Sequence, residues 1–211
     1  MTSTNRSFSV IMAVYENARE LESNLPVFLT QEYGPKYRVI VVDESSTDDT
    51  EDVLKLQKQQ YSHLYTTFLP KPYRHVTQRK LALTLGVKAS TNQWIILTDI
   101  YSVPASAEWL MQIDETISST TEVLFGYSSK KGLKLQTFDQ LEDGVRLVRK
   151  TERRRADGHK GKLLRYLRGK YDFVAVPASR AHDLLRYYEQ DIRGLRLLGL
   201  RISVMFHNLI D

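Results

Sequence analysis

Over the first 127 of its 211 residues, the chain alternates short β-rich apolar runs with helical patterns, which predicts an α/β protein on a mostly parallel central sheet flanked by helices. Three observations carry this expectation. The runs 8–14, 37–42 and 94–97 are apolar without strict alternation, as strands covered on both faces are. Between them, apolar residues recur at steps of three and four. Each run ends in polar residues, Tyr15-Glu16, Asp43-Glu44-Ser45 and Thr98-Asp99, where parallel sheets gather their ligand-binding groups.

The elements follow in order. Phe8-Ser-Val-Ile-Met-Ala-Val14 is the first strand, and Leu21, Leu25, Phe28 and Leu29 place a helix after it. Tyr37-Arg-Val-Ile-Val-Val42 is the second strand. The stretch 45–52, Ser-Ser-Thr-Asp-Asp-Thr-Glu-Asp, puts hydroxyls and four acids where a helix begins. Their oxygens satisfy free N–H groups and the acids oppose the helix dipole. That helix carries Val53, Leu54 and Leu56. Residues 64–69 read as a weaker third strand, 77–89 as an amphipathic helix with Leu81, Leu85 and Val87, and 94–97 as the fourth strand. Residues 104–118 read as a helix opened by Pro104, and 122–127 as the fifth strand.

Beyond Lys130 the character changes. Phe138, Leu141, Val145 and Val148 predict one long helix over 133–155, followed by a basic loop at 159–170, a strand at 171–176 and a helix at 178–190. In the tail, 195–210, a helix would gather Leu195, Leu198, Ile202, Met205, Phe206 and Leu209 on one face beside Arg196 and Arg201. The expected organisation is one domain over 1–211, with a core at 8–127 and a basic, mainly helical part at 128–211.

Composition narrows the chemistry. The absence of cysteine excludes disulfide frameworks, thiolate metal sites and cysteine nucleophiles, and fits a reducing compartment. Residues 1–7 are polar and run straight into a short apolar stretch, so no signal peptide is expected. No apolar run approaches the roughly 20 residues of a membrane span. The expected location is cytoplasmic, soluble or peripheral at the inner face of the membrane. From Arg146 to Lys170 eleven Lys/Arg face two acids, a local +9 within a total of +5, so the remainder sums to −4. Such a concentrated segment points to a local anionic partner rather than a uniformly basic nucleic-acid coat.

Acids at adjacent strand ends suit two jobs, accepting from a base or ribose and holding a divalent cation against phosphates. They equally suit capping of the helices that follow. Here the blocks themselves resemble a known family. Phe8-Ser-Val-Ile-Met-Ala-Val-Tyr-Glu-Asn17, Tyr37-Arg-Val-Ile-Val-Val-Asp-Glu-Ser-Ser-Thr-Asp-Asp-Thr50, Arg79-Lys-Leu-Ala-Leu-Thr-Leu-Gly-Val-Lys-Ala89, and Trp94-Ile-Ile-Leu-Thr-Asp99 with Pro104-Ala-Ser-Ala-Glu-Trp-Leu110 resemble, in order and spacing, the GT-A-fold, family-2 glycosyltransferases.

The resemblance implies a GT-A fold and roles for particular residues. Ala13, Val14, Tyr15 and Glu16 would line the nucleotide base, Asp43 and Glu44 would recognise base and ribose, and Arg79 with its neighbour Lys80 would meet the nucleotide. Asp99 would be the first acid of the Asp-x-Asp motif that holds Mn2+ or Mg2+ with the diphosphate. This chain departs at the motif's third position, where Tyr101 replaces the second acid, and a neutral phenol is a poor ligand for a hard cation. Glu142-Asp143 resembles the acidic pair that supplies the base for the acceptor hydroxyl, although it lies only 43 residues after Asp99 and within a helical pattern. The family's Gln-x-x-Arg-Trp signature is absent.

The implied activity is inverting transfer of a sugar from a nucleoside diphosphate donor, UDP-linked, to the hydroxyl of a saccharide or lipid-linked acceptor in cell-envelope polysaccharide or glycolipid assembly. The alternative is a degenerate homologue that binds a nucleotide, partner or membrane without turnover. The basic segment reads as compensation for a diphosphate or anionic acceptor, as contact with anionic membrane through 146–170 and 195–210, or as a solvated cationic surface. Tyr166 and Tyr171 among the Arg/Lys match no nucleic-acid recognition motif, and no nucleic-acid partner is expected. Phosphate-loop, dinucleotide-loop and nucleophile-elbow motifs are missing, and the five histidines show no zinc spacing.

Overall fold

The computed structural model describes residues 6–34, 36–70, 78–128, 172–186 and 202–207. Among them, β1 (Phe8–Val14), β2 (Tyr37–Asp43), β3 (Leu64–Phe68), β4 (Trp94–Thr98), β5 (Val123–Ser128), β6 (Phe173–Pro177) and β7 (Ile202–His207) form one seven-stranded sheet in the order β3-β2-β1-β4-β6-β5-β7. β1 pairs in parallel with β2 and β4, as does β2 with β3 and β5 with β7, while β6 runs antiparallel between β4 and β5. The α/β expectation therefore holds, with the antiparallel β6 making the sheet mixed.

Two apolar layers cover this sheet. Phe8, Val10, Met12, Val14, Val39, Val41, Trp94 and Ile96 face α1 (Ala18–Leu29), α2 (Thr50–Gln60) and α4 (Trp109–Thr116). The alternate residues Ile11, Ala13, Ile40, Val42, Ile95 and Leu97 face α3 (Gln78–Ala89) and α5 (Ala181–Arg186). Every residue of β1 is buried, which explains why its sequence shows no polar alternation.

Helix α3 lies close to the sheet. It buries Ala82, Leu83, Gly86 and Val87, and a Cβ on Gly86 would run into Ile11 Cγ2. Small residues at positions 82 and 86 admit this approach, so Leu81 and Leu85, expected on the buried face, are only partly covered. In α2, similarly, Leu54 is buried while Leu56 is 60% exposed.

Three expectations are corrected. The helix expected over 104–118 begins five residues later, at Trp109, because the Ser106 carbonyl and hydroxyl accept from the N–H groups of Trp109 and Glu108 and close the turn there. The hydroxyls of Ser45 and Ser46 do not cap α2. Asp48 does so, accepting from Thr50 N at 3.2 Å through Oδ1 and from Ala18 N through Oδ2, so one carboxylate serves the starts of α1 and α2. The single apolar helix face expected over 195–210 is not present at 202–207, which form strand β7 beside β5. The run Ile-Ser-Val-Met-Phe-His is rich in β-branched and aromatic residues, and Met205 enters the core at 4% exposure. The helix expected over 133–155, the loop over 159–170, and with them Glu142 and Asp143, lie outside the described residues.

Candidate functional site

The chain leaves β1 for β2 and β3 on one side, then crosses back to place β4 on the other. Its topological switch point thus falls between the C-terminal ends of β1 and β4, where an open α/β sheet leaves a crevice. Register brings the strand ends level: Val14 pairs with Asp43, Asp43 with Phe68, and Leu97 with Ile11.

At the end of β1, Glu16 takes a left-handed conformation (φ 51°), and Ser45 does the same after β2 (φ 67°). Left-handed backbone is uncommon outside glycine and persists where surrounding bonds fix it. Here they do. Glu16 N donates to Ser46 Oγ (2.8 Å), Thr47 Oγ1 donates to Glu16 Oε1 (3.0 Å), and Ser45 Oγ donates to the Leu69 carbonyl. Ser46 in turn donates through both N (3.0 Å) and Oγ (2.6 Å) to Asp43 Oδ1.

Asp43 is therefore buried, 8% exposed, with one oxygen anchoring the loop and its Oδ2 accepting no hydrogen bond among the described residues. It does not cap α2, which starts seven residues later. Glu44 lies alongside, 9% exposed. Burial raises its carboxyl above the ordinary glutamate value, the Arg79 cation opposes that rise, and the Asp43 charge adds to it. Arg79, in the first turn of α3, reaches the Ala13 carbonyl through Nη1 at 3.4 Å, so it stands between the ends of β1 and β2.

The expected base-lining residues divide by burial. Ala13 and Val14 are core residues, 3% and 1% exposed, and offer the site only backbone: Val14 O accepts from Glu44 N at 2.8 Å. Tyr15 is 50% exposed, and its phenol is raised by its hydrogen bond with Glu16 and that residue's charge. Lys80 is half-buried beside Arg79.

At the end of β4, Asp99 Oδ1 accepts from Tyr101 N (3.1 Å), Ser102 N (2.9 Å) and Ser102 Oγ (2.8 Å), a tight turn that projects Tyr101 outward at 61% exposure. The Tyr101 hydroxyl meets Asn17 Nδ2 at 2.7 Å. Since Asn17 N also donates to Thr50 Oγ1 at 3.1 Å, one polar network spans the crevice from β2 through the β1 loop to β4.

Sequence reasoning placed Asp43, Glu44 and Asp99 at these strand ends, and the resemblance implied that Arg79, read within a helix, meets the same ligand. It missed Asn17, Ser46 and Ser102, which hold them there, and Phe68, 68% exposed in register with Asp43. The first three sit within three residues of an acid singled out by the sequence, and their serine or asparagine character near a strand end is the signal for such turns.

A doubly wound sheet with acids at its switch point, in this strand order, defines a GT-A nucleotide-diphospho-sugar transferase fold. Residues 9–110, just under half of the chain, match the family model described as Glycosyl transferase family 2, which bears out the resemblance read in the sequence.

Solved structures extend the likeness across nearly the whole chain. Mannosyltransferase PcManGT from Pyrobaculum calidifontis, in complex with GDP-Man and Mn2+, is 16% identical at a TM-score of 0.63, covering 98% of this chain and 58% of that one. Residues 1–349 of TarS from S. aureus are 16% identical at 0.59, covering 96% and 60%. The 4-diphosphocytidyl-2C-methyl-D-erythritol synthase of Anaerococcus prevotii is 13% identical at 0.60, covering 97% and 88%. This chain thus spans about three fifths of the first two, and the likeness is one of fold. No curated protein sequence matches it.

The residues at the β4 end do not fit a divalent ion held by the protein. Among the described residues no three His, Asp or Glu side chains converge as a metal-holding group. Asp99 Oδ1 already accepts three hydrogen bonds, and the motif's third position offers a neutral phenol. An ion placed there would gain at most the Asp99 carboxylate from this motif.

Proposed function

We propose that the chain binds a nucleoside diphosphate sugar across the C-terminal ends of β1, β2 and β4 and transfers the sugar to an acceptor hydroxyl. The observation that carries this reading is Asp43, buried and fixed through Oδ1 while Oδ2 takes no donor among the described residues, with the Arg79 guanidinium standing one strand away. A fixed acceptor beside a fixed cation suits the two ends of a nucleotide, its ribose or base and its phosphates.

In the reaction proposed, the acceptor oxygen attacks the anomeric carbon, the bond from that carbon to the diphosphate breaks with inversion, and the acceptor proton passes to a carboxylate. Glu142 and Asp143 are the candidates for that base. The crevice contributes positioning and stabilisation of the leaving charge through Arg79 and Lys80. UDP is the proposed leaving nucleotide, and a saccharide or lipid-linked hydroxyl the acceptor, in cell-envelope polysaccharide or glycolipid assembly. The segment 146–170, with its local +9, suits an anionic acceptor or the membrane that carries it.

Calorimetric titration with UDP and GDP tests the reading. Asp43→Ala should abolish binding, and unchanged affinity would sink the assignment. Tyr101 in place of the second acid favours a second reading, nucleotide binding without turnover. Release of UDP from UDP-sugars in the presence of candidate acceptors excludes it.

A further inference from the structure

Resting on the nucleotide reading, we propose that Tyr101 binds the diphosphate directly as a hydrogen-bond donor, so that nucleotide binding here needs no divalent cation.

The argument starts from the orientation of the Asn17 amide. Tyr15 N–H, a donor only, lies 3.2 Å from Asn17 Oδ1, which fixes that atom as the carbonyl oxygen. The other side-chain atom, Nδ2, is then the NH2 group, and it points at Glu20 Oε2 (3.4 Å) and at the Tyr101 hydroxyl (2.7 Å). An NH2 group only donates, so the Tyr101 oxygen accepts in that bond and its own O–H proton is directed elsewhere. Among the described residues the hydroxyl makes no other hydrogen bond, and the side chain is 61% exposed at the mouth of the switch-point crevice. Asn17 therefore orients a phenol donor toward the place where a strand-end ligand sits.

This inverts the polarity of the position. A carboxylate there is an acceptor, repels a diphosphate, and needs an intervening cation to engage it. A phenol donor polarised by a neighbouring amide contacts an anionic oxygen without one. The positive charge that a cation would supply has protein sources already at the crevice, Arg79 between β1 and β2 and Lys80 beside it. Asp99 keeps a structural task, since its Oδ1 closes the turn that projects Tyr101.

The test is calorimetric titration of the full chain with UDP and GDP, in excess EDTA and in excess Mn2+, for the wild type, Tyr101→Phe and Tyr101→Asp. Tyr101 is exposed, and melting curves establish that both variants fold. The expected result is wild-type binding in EDTA within about threefold of that in Mn2+. Tyr101→Phe should lose about tenfold under both conditions, the size of one hydrogen bond to a charged group. Tyr101→Asp should bind weakly in EDTA and regain affinity with Mn2+. Wild-type binding that requires Mn2+ would overturn the inference and leave the nucleotide reading standing, as would metal-free binding that Tyr101→Phe does not weaken. Failure of both nucleotides to bind under either condition would overturn both.

Discussion

At the scale of the residue, two neighbouring acids at the end of β2 have opposite relations to the fold. Asp43 holds the following loop through Oδ1, so Asp43→Ala leaves Ser46 N and Oγ without their acceptor and mixes a structural loss with a functional one. Asp43→Asn separates them. It keeps an acceptor for Ser46 but loses the charge, so melting should stay close to wild type while UDP affinity falls about tenfold by titration. Equal affinity would show that Asp43 serves only the loop. Glu44 differs because the fold raises its carboxyl, burial being the main cause. A raised acid binds more protons folded than unfolded, so its contribution to stability falls as pH rises through its folded value. Below the ordinary glutamate value near 4.3 both states are protonated and the penalty vanishes. Glu44→Gln should therefore melt above wild type at pH 7, with the gap closing as pH falls toward about 4. A gap that stays constant with pH would mean that ionisation of Glu44 is not its source.

At the scale of the element, α3 sets the position of Arg79. Arg79 and Gly86 are seven residues apart on one helix face, and they meet Ala13 and Ile11, two residues apart on one face of β1. The close approach at Gly86 and the reach of Arg79 are therefore one geometric fact. Gly86→Ala should lower stability by about 1–3 kcal/mol through overpacking and, by pushing α3 away from β1, weaken nucleotide binding. Denaturant titration together with calorimetry checks both. Affinity unchanged in a destabilised Gly86→Ala variant would uncouple Arg79 from the site. The same elements show what the sequence disclosed. β1, β2 and β4 were legible because central parallel strands are apolar on both faces, and the polar residues ending them marked the site. The buried face of α3 was not, because glycine and alanine carry no hydrophobic weight, and their value appears only when a strand packs against them. The start of α4 was displaced because Pro104 suits an extended bridge as well as a helix start, and the turn at Ser106 decides between them. Nor could sequence place Asn17 against Tyr101, 84 positions apart, since only the return of β4 beside β1 joins them.

At the scale of the molecule, the tail makes two accounts of the C-terminal part distinguishable. A membrane-bound helix over 195–210 would have left the domain intact without it. The structure instead uses Ile202–His207 as β7, whose register with β5 runs from Val123↔Ile202 to Ser128↔His207, and buries Met205 in the same layer as Trp109 and Phe173. Removing residues 202–211 would open β5 as a sheet edge at Leu124 and Phe125, both fully buried in the intact protein. Exposed apolar edges template association with other chains. The truncated chain should melt several degrees lower and elute as aggregates in size-exclusion chromatography. Any attraction to anionic vesicles should persist in the full chain and weaken with salt, because it would reside in the +9 segment at 146–170 rather than in an inserted apolar face. Cosedimentation with phosphatidylserine vesicles at low and high salt reads that difference. A truncated protein that stays monomeric at the wild-type melting temperature, and loses only its vesicle binding, would return the tail to the role of a surface anchor and remove β7 from the fold's stability.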